Sequence, residues 1–308
     1  MQAKTRAQSL GAAVLITAAG AMGTLHCKPQ DEPQGAAPGA PPPAQASSSA
    51  RSAQPWDELD IEVYAAAEVT IEHLRKQATV DWPAIRAEVA KTMAVVRATD
   101  ERHGLTYATE IPAALTQCEK GEAPRVNQQV VAKGLQHVAV LGIAHELGLL
   151  ERAGAADRPQ HAARVASFAK AIRPTFVRRD KDYFEGKPTL VAALDQAVSQ
   201  VAAAAKAGQS AKEPGQALRD VIDRTYALSL RYEIEQVEKL RLKDLKACEV
   251  KRAEAVIFYR IIAKRVSNQS PEAHGTIEAM LKAAPDQMNA AILKEQLKKG
   301  LPTLPFPE

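Results

Sequence analysis

The sequence predicts an all-α protein, and three observations lead to this prediction. Across most of the 308-residue chain, apolar residues recur at spacings of three and four, as on one face of a helix. The sequence has no alternating run of β-branched residues bounded by turn residues. Apolar residues form 46% and charged residues 25% of the chain, which is typical of a soluble globular protein. That composition argues against a wholly disordered chain and against a polytopic membrane protein.

The expected helices follow from caps and breakers. Asp81 can cap a helix and Pro83 fits its first turn, so a helix is expected to begin there and to end near Gly104. Pro285 should end or kink the last helix, because proline removes an intrahelical hydrogen bond. The expected ranges, in order, are about 57–78, 82–103, 108–119, 125–151, 159–178, 188–206, 215–246, 249–267 and 271–298.

The first 27 residues have the pattern of an export signal. Lys4 and Arg6 precede an apolar stretch at 10–25, which is shorter than the roughly 20 residues of a spanning helix. Cys27 stands where this stretch ends. The arrangement resembles bacterial lipoprotein precursors, although Thr24 and His26 depart from the residues usual before the cysteine.

This resemblance implies that Cys27 becomes the lipidated first residue of the mature protein. In such lipoproteins, Lys28 after the cysteine favours the outer membrane, facing the periplasm. Two alternatives stay open, namely cleavage at 19–21 that releases a soluble protein, and an uncleaved anchor. All three place the body outside the cytoplasm.

The rest of the chain divides into a tether, two helical units and a tail. Residues 28–54 are rich in Pro, Ala and Ser and cannot bury a core, so we expect a disordered tether. The first unit is expected at 55–186 and the second at 187–300, and the proline-rich tail at 301–308.

An internal repeat is the basis for two units. A shift of 90 residues aligns Phe168 with Phe258, and Ile172 with Ile262. The expected fold is therefore a tandem helical bundle or a short α-solenoid built from two repeated units. Chance similarity between alanine-rich helices is the alternative.

The repeat suggests a site in the core. His145 and Glu235 are equivalent under the 90-residue shift, and the apolar spacing predicts that both point inward. His137, on the same helix as His145, could border the same cleft. These three residues are the candidate ligands for a metal ion or a small ligand in the bundle core, and a metal ion is the cofactor that they suggest. The alternatives are a hydrogen-bonded His–Glu pair and partial exposure of both groups.

Two other sets of polar residues are weaker candidates for a functional role. Tyr64, Glu68 and Glu72 form one stripe on the first helix, which is more typical of a solvated face because it lacks the Glu-x-x-His spacing of di-iron bundles. Cys118 and Cys248 could form one disulfide in an oxidising compartment, with two free buried thiols as the alternative.

These observations favour an exported, lipid-anchored helical binding or scaffold protein of the bacterial cell envelope, without catalysis. The alternative is a periplasmic bundle that handles a metal or haem. No nucleophile elbow, P-loop, dinucleotide fingerprint or Cys-x-x-Cys-His motif occurs in the sequence, so an enzyme is less favoured. Expected partners are a membrane, through the lipid, and a protein. The net charge of +4 with interspersed signs gives no footprint for nucleic acid.

Overall fold

A computed structural model describes residues 55–307, which form ten α-helices, two 3₁₀ turns and, within that range, no β-strand. The all-α prediction is confirmed. The signal, Cys27 and the tether lie outside the described residues. The helices are α1 (Ile61–Leu74), α2 (Trp82–His103), α3 (Tyr107–Glu119), α4 (Pro124–Arg152), α5 (Arg158–Tyr183), α6 (Thr189–Lys206), α7 (Lys212–Leu240), α8 (Leu245–Gln269), α9 (Pro271–Lys282) and α10 (Ala290–Gly300).

Local signals set several helix ends as expected. The Asp81 side chain accepts a hydrogen bond from the backbone N–H of Ala84 at 2.9 Å and so caps α2. Gly104 ends α2 in the left-handed region, at φ 64°, where a side chain would be strained. Pro285 separates α9 from α10 by opening a 3₁₀ turn, so the last expected helix is in fact two.

Several helix ends differ from expectation. α1 was expected at 57–78 but runs from Ile61 to Leu74, since Asp60 caps its start. Two other differences involve carboxylates that cap a neighbouring helix. α5 continues to Tyr183 rather than 178, and its Asp180 accepts the backbone N–H groups of Leu190 and Val191 at 2.7 and 3.0 Å, at the start of α6. α7 ends at Leu240 rather than 246, since Asp244 caps α8.

α4 is the central helix of the bundle. It packs against α3, α5 and α8, and also meets α1, α2 and α7. Leu135 and Val138 on it are fully buried. Gly142 lets the ring of Phe168 lie directly on the helix backbone, because an added Cβ would stand only 2.5 Å from that ring.

The helices share one hydrophobic core that includes both predicted units. α4 contacts α8, and α5 contacts both α6 and α7, so the packing crosses the expected boundary at 186/187. The chain after Gly300 is not helical, as its prolines predict, and Leu301 and Leu304 pack into the core.

Candidate functional site

The three candidate metal ligands have separate partners in the structure. His145 is half-buried, with its ring edge-to-face against Trp56 at a centroid distance of 4.7 Å. Glu235 pairs with Arg231 one turn earlier on α7, at 2.7 Å. His137 is buried and its Nδ1 lies 2.9 Å from the Tyr107 hydroxyl. Within residues 55–307, no hydrogen bond or ion pair joins the three to one another.

Burial and nearby cations keep both histidines neutral. Burial, with the charges of Arg102 and Arg152, lowers the pKa of His145 to about 4. Burial, with Arg260 and His103, lowers the pKa of His137 to about 3. In the described part of the chain, no three or more His, Cys, Asp or Glu residues gather into a group that could hold a metal ion.

The prediction of which residues point inward was wrong by one or two positions on α4 and on α7. Glu146, rather than His145, continues the buried face of α4 and is fully buried. On α7, Glu233 is 1% exposed, whereas Glu235 is only partly buried. Because polar and apolar residues mix on both helices, their spacing alone did not determine how each helix is rotated about its own axis, and so which residues face the core.

Glu146 joins the start of the described chain to the bundle. Its carboxylate accepts from the indole Nε1 of Trp56 at 2.5 Å and pairs with His161 and Arg164, each at 2.8 Å. Arg164 also donates to the backbone carbonyl of Trp56 at 2.7 Å. These contacts satisfy the buried carboxylate within the protein, so the cluster is structural.

The carboxylate stripe of α1, expected on a solvated face, is buried. Tyr64, Glu68 and Glu72 are 0%, 2% and 5% exposed. Burial alone would raise the pKa of Glu72, but the guanidinium groups of Arg75 and Arg178 outweigh it and lower that pKa to about 2. For Glu68, burial and the neighbouring charge of Glu72 raise the pKa to about 8. The cations that hold Glu72 come from α5 and from the end of α1, which single-helix spacing could not reveal.

These cations belong to a cleft of about 340 Å³ at one end of the bundle, which we call the cationic cleft. Its walls come from the beginnings of α4 and α8 and from the ends of α1, α5 and α7. Asp182, Glu233 and Glu254 are its acidic lining residues, and Glu72 stands beside it. Seven basic residues line it, namely Arg75, Lys76, Lys133, Arg178, Arg179, Lys181 and Lys251. Positive charge therefore exceeds negative charge in the cleft.

Five of the seven basic residues that line the cleft are already paired with a carboxylate. Arg178 lies 2.5 Å from Glu72, and Lys251 lies 2.9 Å from Glu233. Arg179 pairs with Asp182 at 2.8 Å and its guanidinium stacks over the ring of Tyr232 at 4.2 Å. Such pairs fix the direction of the basic side chains before any ligand arrives.

Lys181 and Lys133 have no such pair among the described residues; Lys181 is exposed, whereas Lys133 is buried. Lys133 is therefore the residue of interest. It lines the cleft although only 2% of it is exposed, and no ion pair or hydrogen bond of its ammonium is found within the described residues. Its Nζ lies 5.1 Å from the ring centroid of Phe258. Burial and the charge of Arg178 lower the pKa of Lys133 to about 7, and the charges of Glu254 and Glu72 act in the opposite direction without an ion pair to its ammonium. A group at this pKa gains a proton readily when an anion comes near.

Sequence reasoning missed Lys133, although one signal was available. It is a lone lysine among Val131, Ala132 and Leu135 on the central helix, where most neighbours in the chain are apolar. A cation on such a helix is costly unless something pairs with it.

The two described cysteines are free and buried rather than joined in a disulfide. The Cys118 thiol lies 3.5 Å from the carbonyl oxygen of Pro124, and the Cys248 thiol lies 3.8 Å from that of Val237. Each faces its own local backbone, which agrees with the alternative of two buried thiols.

None of the described helices has the length and apolar character needed to cross a membrane. Comparisons of the chain with protein-family models, with curated proteins and with solved structures find no match.

Proposed function

We propose that this chain is an exported, lipid-anchored helical binding protein of the bacterial cell envelope, and that the cationic cleft holds a small anionic ligand. The observation that carries the proposal is Lys133, a buried ammonium group that lines the cleft without a carboxylate of its own. A carboxylate or phosphate group in the cleft would supply the missing partner.

The energetics support a ligand role over a purely structural one. Burying a charge costs several kcal/mol unless it is paired, and an apolar side chain of similar size would serve the packing of α4 better. A residue that costs stability at a cleft is typical of a functional position. The cleft volume of about 340 Å³ suits a small compound rather than a macromolecule.

The test is calorimetric titration of the protein with two probes, sodium phosphate and sodium succinate. We expect saturable binding of at least one probe, about tenfold or more weaker in Lys133→Met, since a hydrogen bond to a charged group contributes about 1.5–3 kcal/mol. Lys206→Met is the matched control, because Lys206 is an exposed lysine at the end of α6, away from the cleft lining. Equal affinity of both variants and the wild type would contradict the proposal, as would an absence of binding to the wild type.

The export and the lipid anchor rest on residues 1–28 alone. Cys27 after a short apolar stretch supports them, and the tether would let the body reach ligands away from the membrane surface. Cys27→Ser should move the protein from the membrane fraction to the soluble one. An unchanged membrane fraction would argue for the uncleaved anchor.

We also infer that the two helical units are copies of one ancestral unit. α4 and α7 each have 29 residues, and they align under the 90-residue shift to within two residues at both ends. The aligned pairs Phe168 with Phe258 and Ile172 with Ile262 are all buried. Matching lengths and matching buried positions support a duplication.

A further inference from the structure

The turn between α7 and α8 combines exposed leucines with basic residues. Leu242 is 91% exposed and Leu245 is 67% exposed, the two highest values among the large apolar side chains of the described chain. Apolar side chains this exposed and this close together are unusual on a soluble protein. We call the segment 239–246 the α7–α8 tip.

Charge on the tip is mostly positive. Four basic residues stand against one acidic residue, Asp244, which caps α8. The basic residues are Lys239, Arg241, Lys243 and Lys246. Arg241 donates to the backbone carbonyl of Asp286, while the three lysines are exposed and make no ion pair in the described part of the chain. Glu249, one turn into α8, is exposed and lies 3.7 Å from Arg252.

We propose that the α7–α8 tip docks on a membrane surface of anionic phospholipid. Leu242 and Leu245 enter the boundary between headgroups and acyl chains, and the lysines meet lipid phosphates. Exposed apolar side chains flanked by Lys and Arg are the combination that interfacial membrane binding requires. The charge of the tip is complementary to such a surface and makes anionic lipid a better occupant than a second copy of the chain, which would bring two basic tips together.

The tip and the cationic cleft lie at the same end of the bundle. Lys251 of the cleft is six residues after Leu245 on α8, which corresponds to about 9 Å along the helix axis. Docking through the tip would therefore hold the cleft close to the level of the lipid headgroups. This placement deepens the proposed function, but tip docking itself depends neither on ligand binding in the cleft nor on a lipid at Cys27.

The experiment is sedimentation with vesicles of pure phosphatidylglycerol or pure phosphatidylcholine, using the chain from Lys28 to Glu308 so that no leader or acyl chain contributes. We expect binding to phosphatidylglycerol that weakens with added salt, and little binding to phosphatidylcholine. Lys243→Gln with Lys246→Gln should reduce the partition coefficient about thirtyfold, since each cation near an anionic surface contributes about a factor of five. Leu242→Ser with Leu245→Ser should reduce it at least about tenfold.

The matched control is Lys206→Gln with Lys212→Gln, which removes the same charge at the opposite end of α7. Lys212 and Leu240 bound a helix of 29 residues, about 43 Å long. The control should bind like the wild type, and so should Lys133→Met, which alters the cleft and leaves the tip intact. All variants change exposed residues except that one, and far-ultraviolet circular dichroism checks that each is folded.

Four results would overturn the proposal. The first is equal binding to both vesicles or to neither, and the second is equal loss in the tip variants and the charge control. The third is self-association of the wild type, abolished by Leu242→Ser with Leu245→Ser, without vesicle binding. Loss of vesicle binding in Lys133→Met alone would also overturn it and would assign lipid recognition to the cleft.

Discussion

Replacement of Lys133 by methionine should make the protein more stable while weakening anion binding. The pKa of Lys133 falls from 10.5 to about 7 on folding. At 1.36 kcal/mol for each unit, the protonated form costs the folded state up to about 5 kcal/mol. Methionine removes this cost but also loses the ammonium contact with Phe258, a type of interaction that contributes about 1–2 kcal/mol. We therefore expect a net gain of about 3 kcal/mol.

The pH dependence of this gain separates charge burial from packing. Because the folded-state pKa lies below the unfolded value, the folded protein binds fewer protons between about pH 7 and 10.5, and the wild type becomes more stable as the pH rises through that window. The penalty is complete below pH 7. The advantage of Lys133→Met should thus be largest at about pH 6 and should shrink towards pH 10.5.

The assay is urea unfolding of the wild type, Lys133→Met and the control Lys206→Met at about pH 6 and about pH 10. The control should match the wild type at both values, since Lys206 is exposed. A Lys133→Met protein that is less stable than the wild type by the same amount at both pH values would refute the reasoning, because it would show that the side chain contributes packing rather than a buried charge.

Two further predictions concern the core. Gly142→Ala should lower the free energy of unfolding by about 1–3 kcal/mol in urea, because its Cβ would stand 2.5 Å from the ring of Phe168. Gly148→Ala, whose nearest atom lies at 3.6 Å, should be neutral or stabilising, and equal effects of the two changes would contradict this account. Cys118 and Cys248 should each take up one equivalent of a thiol reagent without prior reduction, slowly in the folded protein and quickly in urea. Labelling only after reduction would show a disulfide instead.

Features set by local chemistry could be predicted from the sequence. The all-α class follows from apolar spacing, and the start of α2 follows from Asp81 and Pro83. The break at Pro285 was expected for the same kind of reason, since its effect acts within one turn. Asp180 shows what local patterns cannot predict. Its carboxylate caps α6 rather than its own helix, and nothing in the neighbouring sequence indicates this.

The candidate site was harder to predict because it depends on contacts between helices. The stripe of Glu68 and Glu72 resembles a solvated face unless Arg178 is known to reach it from α5. His145 and Glu235 were chosen on helices whose polar and apolar residues mix, so an error of one or two positions exchanged them for Glu146 and Glu233.

The proposed function depends on Lys133, whose ammonium group should bind an anion in the cationic cleft. Nuclear magnetic resonance of lysine labelled with ¹³C at Cε, assigned through Lys133→Met, measures the pKa of this group directly. We expect a value of about 7 in the free protein, and a higher one at saturating concentration of whichever anion binds in the calorimetric titration. A pKa near 10.5 in the free protein, or one unmoved by that anion, would contradict the account.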